Sequence, residues 1–248
     1  MTLEQFFAEN REVAIAFSGG VDSAYLLYAA TRYAARVKAY YVSTAFQPSF
    51  ELADARRLAD ALGADMQVLH VDVLMSGAVV ANPPDRCYHC KNTLFRQILR
   101  AAENDGFPLL LDGTNASDNA GDRPGMRALR ELSVRSPLRE CGLTKAEIRR
   151  LSREAGLFTW DKPAYACLAT RIRAGEEITL QKLKQTEKAE GFLFGLGFRD
   201  FRVRMVDNTA KLELRETDLP LLLENREKIV TELRKDYDSV LLNLEVRK

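Results

Sequence analysis

Short apolar runs and helix-like patterns alternate along the first two thirds of the chain. Val13–Phe17 is an apolar run, followed at once by glycines and then an apolar helix over Ala24–Ala35. Val37–Val42 and Met66–Val71 repeat the strand signal, with a helical pattern over Glu51–Leu62 between them. A helix over Lys91–Asn104 then leads to a fourth strand, Leu109–Asp112. Strands spaced by helices predict a parallel sheet covered on both faces. Ligands of such sheets bind beyond the carboxyl ends of the strands. Ser18–Ser23 and Gly113–Asp118 both follow directly on a predicted strand, so they are expected to share one crevice. Thr144 and Glu147 have capping-box spacing and open a helix over Lys145–Glu154.

The pattern changes near Ala174-Gly175-Glu176-Glu177. Beyond it the periodicity predicts a helix (Leu180–Phe194), a strand (Phe201–Val206), a turn at Asp207-Asn208 and a strand (Ala210–Arg215). Another helix and a last strand (Val240–Val246) follow. The expected fold class is therefore α/β, a parallel-sheet domain over residues 1–174 followed by a small α+β domain over residues 175–248. A unit of about 70 residues is a plausible domain by size.

Composition narrows the function classes. With 46% hydrophobic and 29% charged residues the chain reads as an ordinary soluble globular protein. Lys plus Arg number 36 against 35 Asp plus Glu, which predicts no strong nonspecific grip on nucleic acid or an anionic membrane. From Thr179 onward the balance is 14 basic to 13 acidic side chains. No apolar run approaches the roughly 20 residues of a membrane helix, and Met1-Thr2-Leu3-Glu4-Gln5 lacks the start of a signal peptide. The expected location is the cytoplasm. There the four cysteines stay reduced, so metal binding or catalysis is favoured over a disulfide framework.

Phe17-Ser18-Gly19-Gly20-Val21-Asp22-Ser23 is the most informative segment. Two glycines after a strand permit a tight turn and close backbone approach to a ligand. Amides at the start of the next helix point outward with a partial positive charge, and Ser18 and Ser23 add hydroxyl donors. Together these make an oxyanion cradle of pyrophosphate size. A Walker loop is excluded, because the Gly-Lys-Ser/Thr ending is absent. A turn that merely needed glycine is the plainer alternative; the strand before, the helix after and the complete Ser-Gly-Gly-x-Asp-Ser string favour phosphate. An amide cradle leaves much phosphate charge unneutralised, so Mg2+ is expected as well.

Cys87-Tyr88-His89-Cys90 is a Cys-x-x-Cys pair. Two thiolates at that spacing chelate one metal or one cluster edge, and Cys167 would supply a third. Alternatives are a zinc site using His89 or Cys141, a redox pair, and inert buried cysteines. Cys141 lies in a turn before a helix and reads as a bystander. In Phe201-Arg202-Val203-Arg204-Met205, alternation sends the apolar residues one way and both arginines the other, and Glu213 joins the polar side of the next strand. Two arginines on one strand face can grip a phosphate. An exposed charged sheet face is the alternative.

The Ser18–Ser23 string resembles the PP-loop of the ATP pyrophosphatases, which have an adenine nucleotide alpha hydrolase-like fold. The resemblance implies ATP cleavage between the α and β phosphates and an adenylated substrate, with Asp22 holding magnesium or ordering the loop. Gly113-Thr114-Asn115-Ala116-Ser117-Asp118, Arg123-Pro124-Gly125, Ser136-Pro137-Leu138, Lys162-Pro163…Cys167-Leu168-Ala169-Thr170-Arg171-Ile172 and Arg202-Val203-Arg204 follow in order. With them the whole chain resembles the LarE-type sulfur transferases. Such enzymes adenylate the carboxylates of pyridinium-3,5-biscarboxylic acid mononucleotide and convert them to thiocarboxylates. The product is the precursor of the nickel-pincer cofactor of lactate racemase.

The resemblance implies two sulfur chemistries. In single-cysteine members the cysteine matching Cys167 surrenders its own sulfur and leaves dehydroalanine. In members with the extra Cys-x-x-Cys, three cysteines hold a 4Fe-4S cluster, and Cys87, Cys90 and Cys167 place this chain with the second kind. The sequence departs from its relatives at Ile172-Arg173-Ala174-Gly175, where Ile-Pro-Tyr-Gly is common. The resemblance places Arg202, Arg204 and Glu213 at the substrate phosphate, and multimers are common among relatives, so a homo-oligomer is expected. Gly113 joins the ATP loop, and Arg123 is a candidate for neutralising phosphate charge. The attacking sulfur must be deprotonated, and an iron site or Arg171 would favour its anion.

Three rival functions stand beside this one. A tRNA thiolation enzyme would share the loop, the adenylation and the cysteines, but should add a basic RNA-binding domain with exposed aromatics. An ammonia-using synthetase of the NAD or GMP type would need no cysteine trio. A nucleotide-binding protein without catalysis would release no pyrophosphate.

Overall fold

The computed structural model describes residues 1–118 and 124–247. Arg123 lies outside the described residues. The chain divides into two compact units. The first comprises Met1–Thr44, Ser49–Val73 and Asp85–Ala164; the second comprises Ala45–Pro48, Leu74–Pro84 and Tyr165–Lys248.

The first unit is built on strands β1 (Glu12–Ala16), β2 (Arg36–Ser43), β3 (Met66–His70) and β4 (Leu110–Leu111), in the order β3-β2-β1-β4. Every pairing is parallel, with Ala14 between Lys38 and Leu110. The chain thus builds outward from β1 through β2 to β3 and then returns to the other side of β1. That reversal opens a crevice at the carboxyl ends of β1 and β4.

Side chains alternate across a strand, and here both faces are buried. Val13, Ile15, Ala39 and Tyr41 join one core cluster, whereas Ala14, Tyr40 and Val42 join another. The first cluster is covered by helices α1 (Leu3–Glu9), α2 (Val21–Tyr33), α3 (Ser49–Leu62) and, through Ile148, the later helix Lys145–Glu154. The second cluster takes Ile98 and Ala102 from the helix Arg86–Asn104. The expected doubly covered parallel sheet is what the chain forms.

Helix α2 begins at Val21 rather than Ala24, so Asp22 and Ser23 sit in its first turn. Helix α1 carries no strong apolar period; a Thr2–Gln5 capping box starts it, and burial of Leu3, Phe6 and Phe7 holds it. The Thr144–Glu147 capping box is present as expected, with both reciprocal bonds formed.

The second unit opens with α4 (Gly77–Val80). Helices α5 (Arg86–Asn104), α6 (Pro124–Glu131), α7 (Pro137–Glu140) and α8 (Lys145–Glu154) belong to the first unit. The second unit continues with α9 (Leu180–Gly195), β5 (Arg202–Val206), β6 (Thr209–Glu213), α10 (Leu219–Glu224), α11 (Arg226–Leu233) and β7 (Ser239–Leu242). β5 and β6 form an antiparallel hairpin across Asp207-Asn208, and β7 pairs in parallel with β6. Phe201, Val203, Met205, Leu212 and Leu214 pack with Leu193 and Ile229 into one core.

The second unit takes in Tyr165–Ala174, ten residues ahead of the boundary at 174/175 that the sequence suggests. The reason is a set of buried bonds between this segment and α9, described below. Among the described residues no helix is long and apolar enough to cross a membrane.

Candidate active site

The cradle of the first unit starts where β1 ends. Gly19 holds φ +71°, a left-handed conformation that lets the chain turn sharply from β1 into α2. Gly20 is the N-cap of α2 and brings no side-chain cap, so the first amides of the helix face outward. Ser18 and Ser23 lie with their hydroxyl oxygens 3.0 Å apart, and Ser23 Oγ donates to the Gly20 carbonyl at 3.2 Å. The Ser18 amide in turn donates to Ser23 Oγ at 3.2 Å. Gly113, at the end of β4, lies so close that a Cβ there would meet the Ser23 nitrogen at 2.9 Å. The two strand-end loops are therefore in backbone contact.

Between them is a cavity of about 320 Å³, lined by Ser18, Gly20, Asp22 and Ser23 on one side and by Asp112, Gly113, Thr114 and Asp118 on the other. Helix α5 closes it with Lys91 and Phe95. The crevice anticipated between Ser18–Ser23 and Gly113–Asp118 is present. The carboxylates around it are tied down. Asp112 accepts from the Ser136 hydroxyl at 2.6 Å and from the Thr114 hydroxyl at 2.5 Å. Asp22 accepts from Asn115 Nδ2 at 3.4 Å and from Lys145 Nζ at 2.5 Å. Neither Lys91 nor Lys145 stood out in the sequence, because each lies on a helix whose pattern shows only amphipathicity.

Cys87 and Cys90 lie in the first turns of α5, Cys87 exposed and Cys90 half-buried. Cys87, Lys91 and Phe95 follow each other at four-residue spacing, which puts them along one helix face. The wall of the cavity and the cysteine pair thus share a helix. Tyr88, between the cysteines, donates to Glu131 at 2.6 Å and lies under the Arg127 guanidinium, docking α5 on α6. His89 faces Asp85 at 3.5 Å. Cys141 packs against the first core cluster, and burial pushes its thiol up. The four cysteines form no disulfide.

Cys167 belongs to the second unit, in the segment ahead of α9. Its loop is held from inside. Arg171, 1% exposed, donates through Nε and Nη2 to Glu190 at 2.9 and 3.0 Å. Its Nη1 reaches the Ala166 carbonyl at 2.7 Å, the Thr170 hydroxyl at 2.9 Å and the Cys167 carbonyl at 3.3 Å. Burial alone would lower the Arg171 pKa, but the hydrogen bonds and charge of Glu190 outweigh it and hold the guanidinium charged. Glu190 also accepts from the Val203 amide at 2.9 Å and from the Tyr165 hydroxyl. Arg171 thus donates to the Cys167 carbonyl and interacts electrostatically with the Cys167 side chain, and its other donors go to Glu190 and neighbouring loop atoms. The departure at Arg173-Ala174 is accommodated by Asn82, which donates to the Arg173 carbonyl and accepts from the Gly175 amide, both at 2.8 Å.

Arg202 and Arg204 occupy one face of β5, and Glu213 pairs in register with Arg202. The face is less open than a charged sheet surface. Arg202 is 6% exposed and donates to the Phe201 carbonyl at 2.6 Å, with the Tyr165 ring 5.3 Å from its guanidinium carbon. Burial, then the Arg171 and Arg247 charges, push its pKa down. Arg204 pairs with Glu213 at 3.0 Å and donates to the Thr170 carbonyl, so the arginine strand and the cysteine loop are bonded to each other. Among the described residues no group of three or more His, Cys, Asp or Glu side chains is placed to hold a metal ion.

Residues 4–105 match the asparagine synthase family. The chain is 39% identical over 215 residues to an uncharacterized protein of Synechocystis, spanning 86% of this chain and 80% of that one. It is 33% identical to the pyridinium-3,5-bisthiocarboxylic acid mononucleotide synthase of Lactiplantibacillus plantarum, over 87% of this chain and 79% of that enzyme. An uncharacterized protein of Methanocaldococcus jannaschii is 30% identical over 96% of this chain and 91% of its own length.

Proposed function

This chain belongs to the LarE-type family of PP-loop sulfur transferases, and from that premise we propose that it adenylates the carboxylates of pyridinium-3,5-biscarboxylic acid mononucleotide and converts them to thiocarboxylates. The observation that carries the reading is the cradle: two hydroxyls, the uncapped amides of α2 and a glycine-only contact with the Gly113 loop, all on a cavity beyond the ends of parallel strands.

In this reading the Ser18–Ser23 loop binds the β and γ phosphates of ATP, with Ser18, Gly19, Gly20, Asp22, Ser23 and Gly113 in contact. A substrate carboxylate oxygen attacks the α phosphorus, and pyrophosphate leaves into the cradle with its charge met by amides and Lys91. A sulfur nucleophile then attacks the carbonyl carbon of the acyl adenylate, and AMP departs with the bonding electron pair. Arg171 fixes the backbone on which Cys167 is presented. Arg202, Arg204 and Glu213 hold the phosphate of the mononucleotide.

Two resident groups are implied. The carboxylate set suits magnesium, which takes one or two carboxylates together with phosphate oxygens; Asp22 would contact it, and it would neutralise phosphate charge. Two thiols one turn apart on α5 suit one edge of a 4Fe-4S cluster, which Cys87, Cys90 and Cys167 would hold and which would supply a sulfide. The protein would work in the cytoplasm as a homo-oligomer; such an assembly would cover Leu241 and Leu244, which are 56% and 87% exposed on and just after the edge strand β7.

The test is turnover by anaerobically purified protein with ATP, magnesium and the mononucleotide, read by product mass, iron content and intact protein mass. The expected result is thiocarboxylate product, bound iron and an unchanged polypeptide. Thiocarboxylate with no iron and with Cys167 converted to dehydroalanine moves the sulfur source to the cysteine itself. No thiocarboxylate, together with thiolation of added tRNA, overturns the assignment.

A further inference from the structure

The proposed ATP site contains a charge problem that its lining does not solve. Among the described lining residues stand three carboxylates, Asp22, Asp112 and Asp118, and a single ammonium, Lys91. A polyphosphate entering that cavity meets more negative than positive side-chain charge. Asp112 is buried under the Ser136 and Thr114 hydroxyls, and Asp118 accepts from the Asn115 amide at 2.9 Å. Asp22 differs, because it stands in the first turn of α2, beside the amides that form the cradle.

Both oxygens of Asp22 are engaged from outside its own helix. Oδ1 faces Asn115 Nδ2, and Oδ2 takes the Lys145 ammonium at 2.5 Å. Lys145 is the first residue of α8, where the helix dipole disfavours a cation and Asp or Glu is the usual choice. Its own amide donates to Ser117 Oγ at 3.0 Å, which seats the start of α8 on the Gly113–Asp118 loop. A residue that is unfavourable for its helix yet aimed at a carboxylate of the cradle marks a functional placement rather than a choice for α8.

Resting on the ATP-site reading above, we propose that Lys145 is a positioning residue for nucleotide binding, acting through Asp22. Its ammonium offsets the charge of the carboxylate and holds it in one orientation between Lys145 and Asn115, so that the α2 amides stay open to phosphate and the remaining carboxylate lone pairs stay open to magnesium. With Lys145 removed, Asp22 keeps a full charge at the cradle, where it repels the incoming phosphates and competes for their donors. The ammonium carries three N–H donors, and Asp22 takes one, so the contact persists when nucleotide enters.

The experiment is calorimetric titration of the full chain with α,β-methylene-ATP and magnesium, for wild type, Lys145→Ala, Lys145→Arg, Asp22→Asn and the Asp22→Asn/Lys145→Ala double variant. Lys145→Ala is expected to bind roughly tenfold or more weakly, and Lys145→Arg within about threefold of wild type. The double variant is expected to bind no more weakly than Asp22→Asn, because Lys145 acts through the carboxylate; a purely structural role would give losses that add. Lys145→Ala within about twofold of wild type, or additive losses in the double variant, overturns the proposal. A wild-type chain that binds no nucleotide overturns the ATP-site reading itself, which separates the two failures.

Discussion

The phosphate cradle and the cysteine–arginine region use opposite means to fix a site. The cradle is made of backbone. Its donors are amides and short hydroxyls, its shape depends on Gly19 and Gly113, and its ion pair Lys145–Asp22 is 34% and 22% exposed. The cysteine loop is made of side chains. One carboxylate, Glu190, receives Arg171, Tyr165 and the Val203 amide, and the Arg171 and Glu190 side chains are 0% and 1% exposed. A backbone cradle loses little stability when one side chain changes, since the strand-to-helix junction persists. A buried ionic hub loses much, because each partner is left charged and desolvated.

The largest effect that would sharpen this contrast is expected at Glu190. Glu190→Ala strands a buried guanidinium and should cost about 3–5 kcal/mol in urea unfolding. Asp22→Asn, which breaks a partly solvated pair, should cost below about 1 kcal/mol. Similar costs at the two positions would erase the distinction.

A smaller effect is expected at Arg204, which bonds to Glu213 and the Thr170 carbonyl at the edge of the hub. Arg204→Ala should weaken binding of the mononucleotide by about 1.5–3 kcal/mol, roughly ten- to a hundredfold, with ATP affinity unchanged. Calorimetry with each ligand checks it. Equal losses for both ligands would mean that Arg204 supports the protein in general and does not select the substrate.

The two regions also differ in how far the amino-acid sequence discloses them. Periodicity carries the parallel sheet, because β1 and β2 are buried on both faces and read as apolar runs. The cradle is legible because glycine and serine at a strand end have few other uses. Arg202 and Arg204 are legible as a shared face through alternation, but not as a covered one: Tyr165 reaches that face from thirty-seven residues earlier in the chain. Glu190 is invisible for a related reason. On an amphipathic helix it reads as a solvated charge, and only the fold sets it against Arg171, Tyr165 and Val203. The early start of the second unit at Tyr165 follows from the same bonds. Lys145 reads as an ordinary residue after a helix cap; its meaning appears only when the Asn115–Asp118 loop brings α8 to Asp22.

The measurement that tests the account most directly is the fate of ATP's phosphates during turnover with the pyridinium dicarboxylate nucleotide. With ATP labelled at the α and γ phosphates, a cradle that holds the leaving pyrophosphate predicts labelled AMP and labelled pyrophosphate, both dependent on the carboxylate substrate. Labelled ADP and inorganic phosphate would mean cleavage at the γ phosphate and would contradict it.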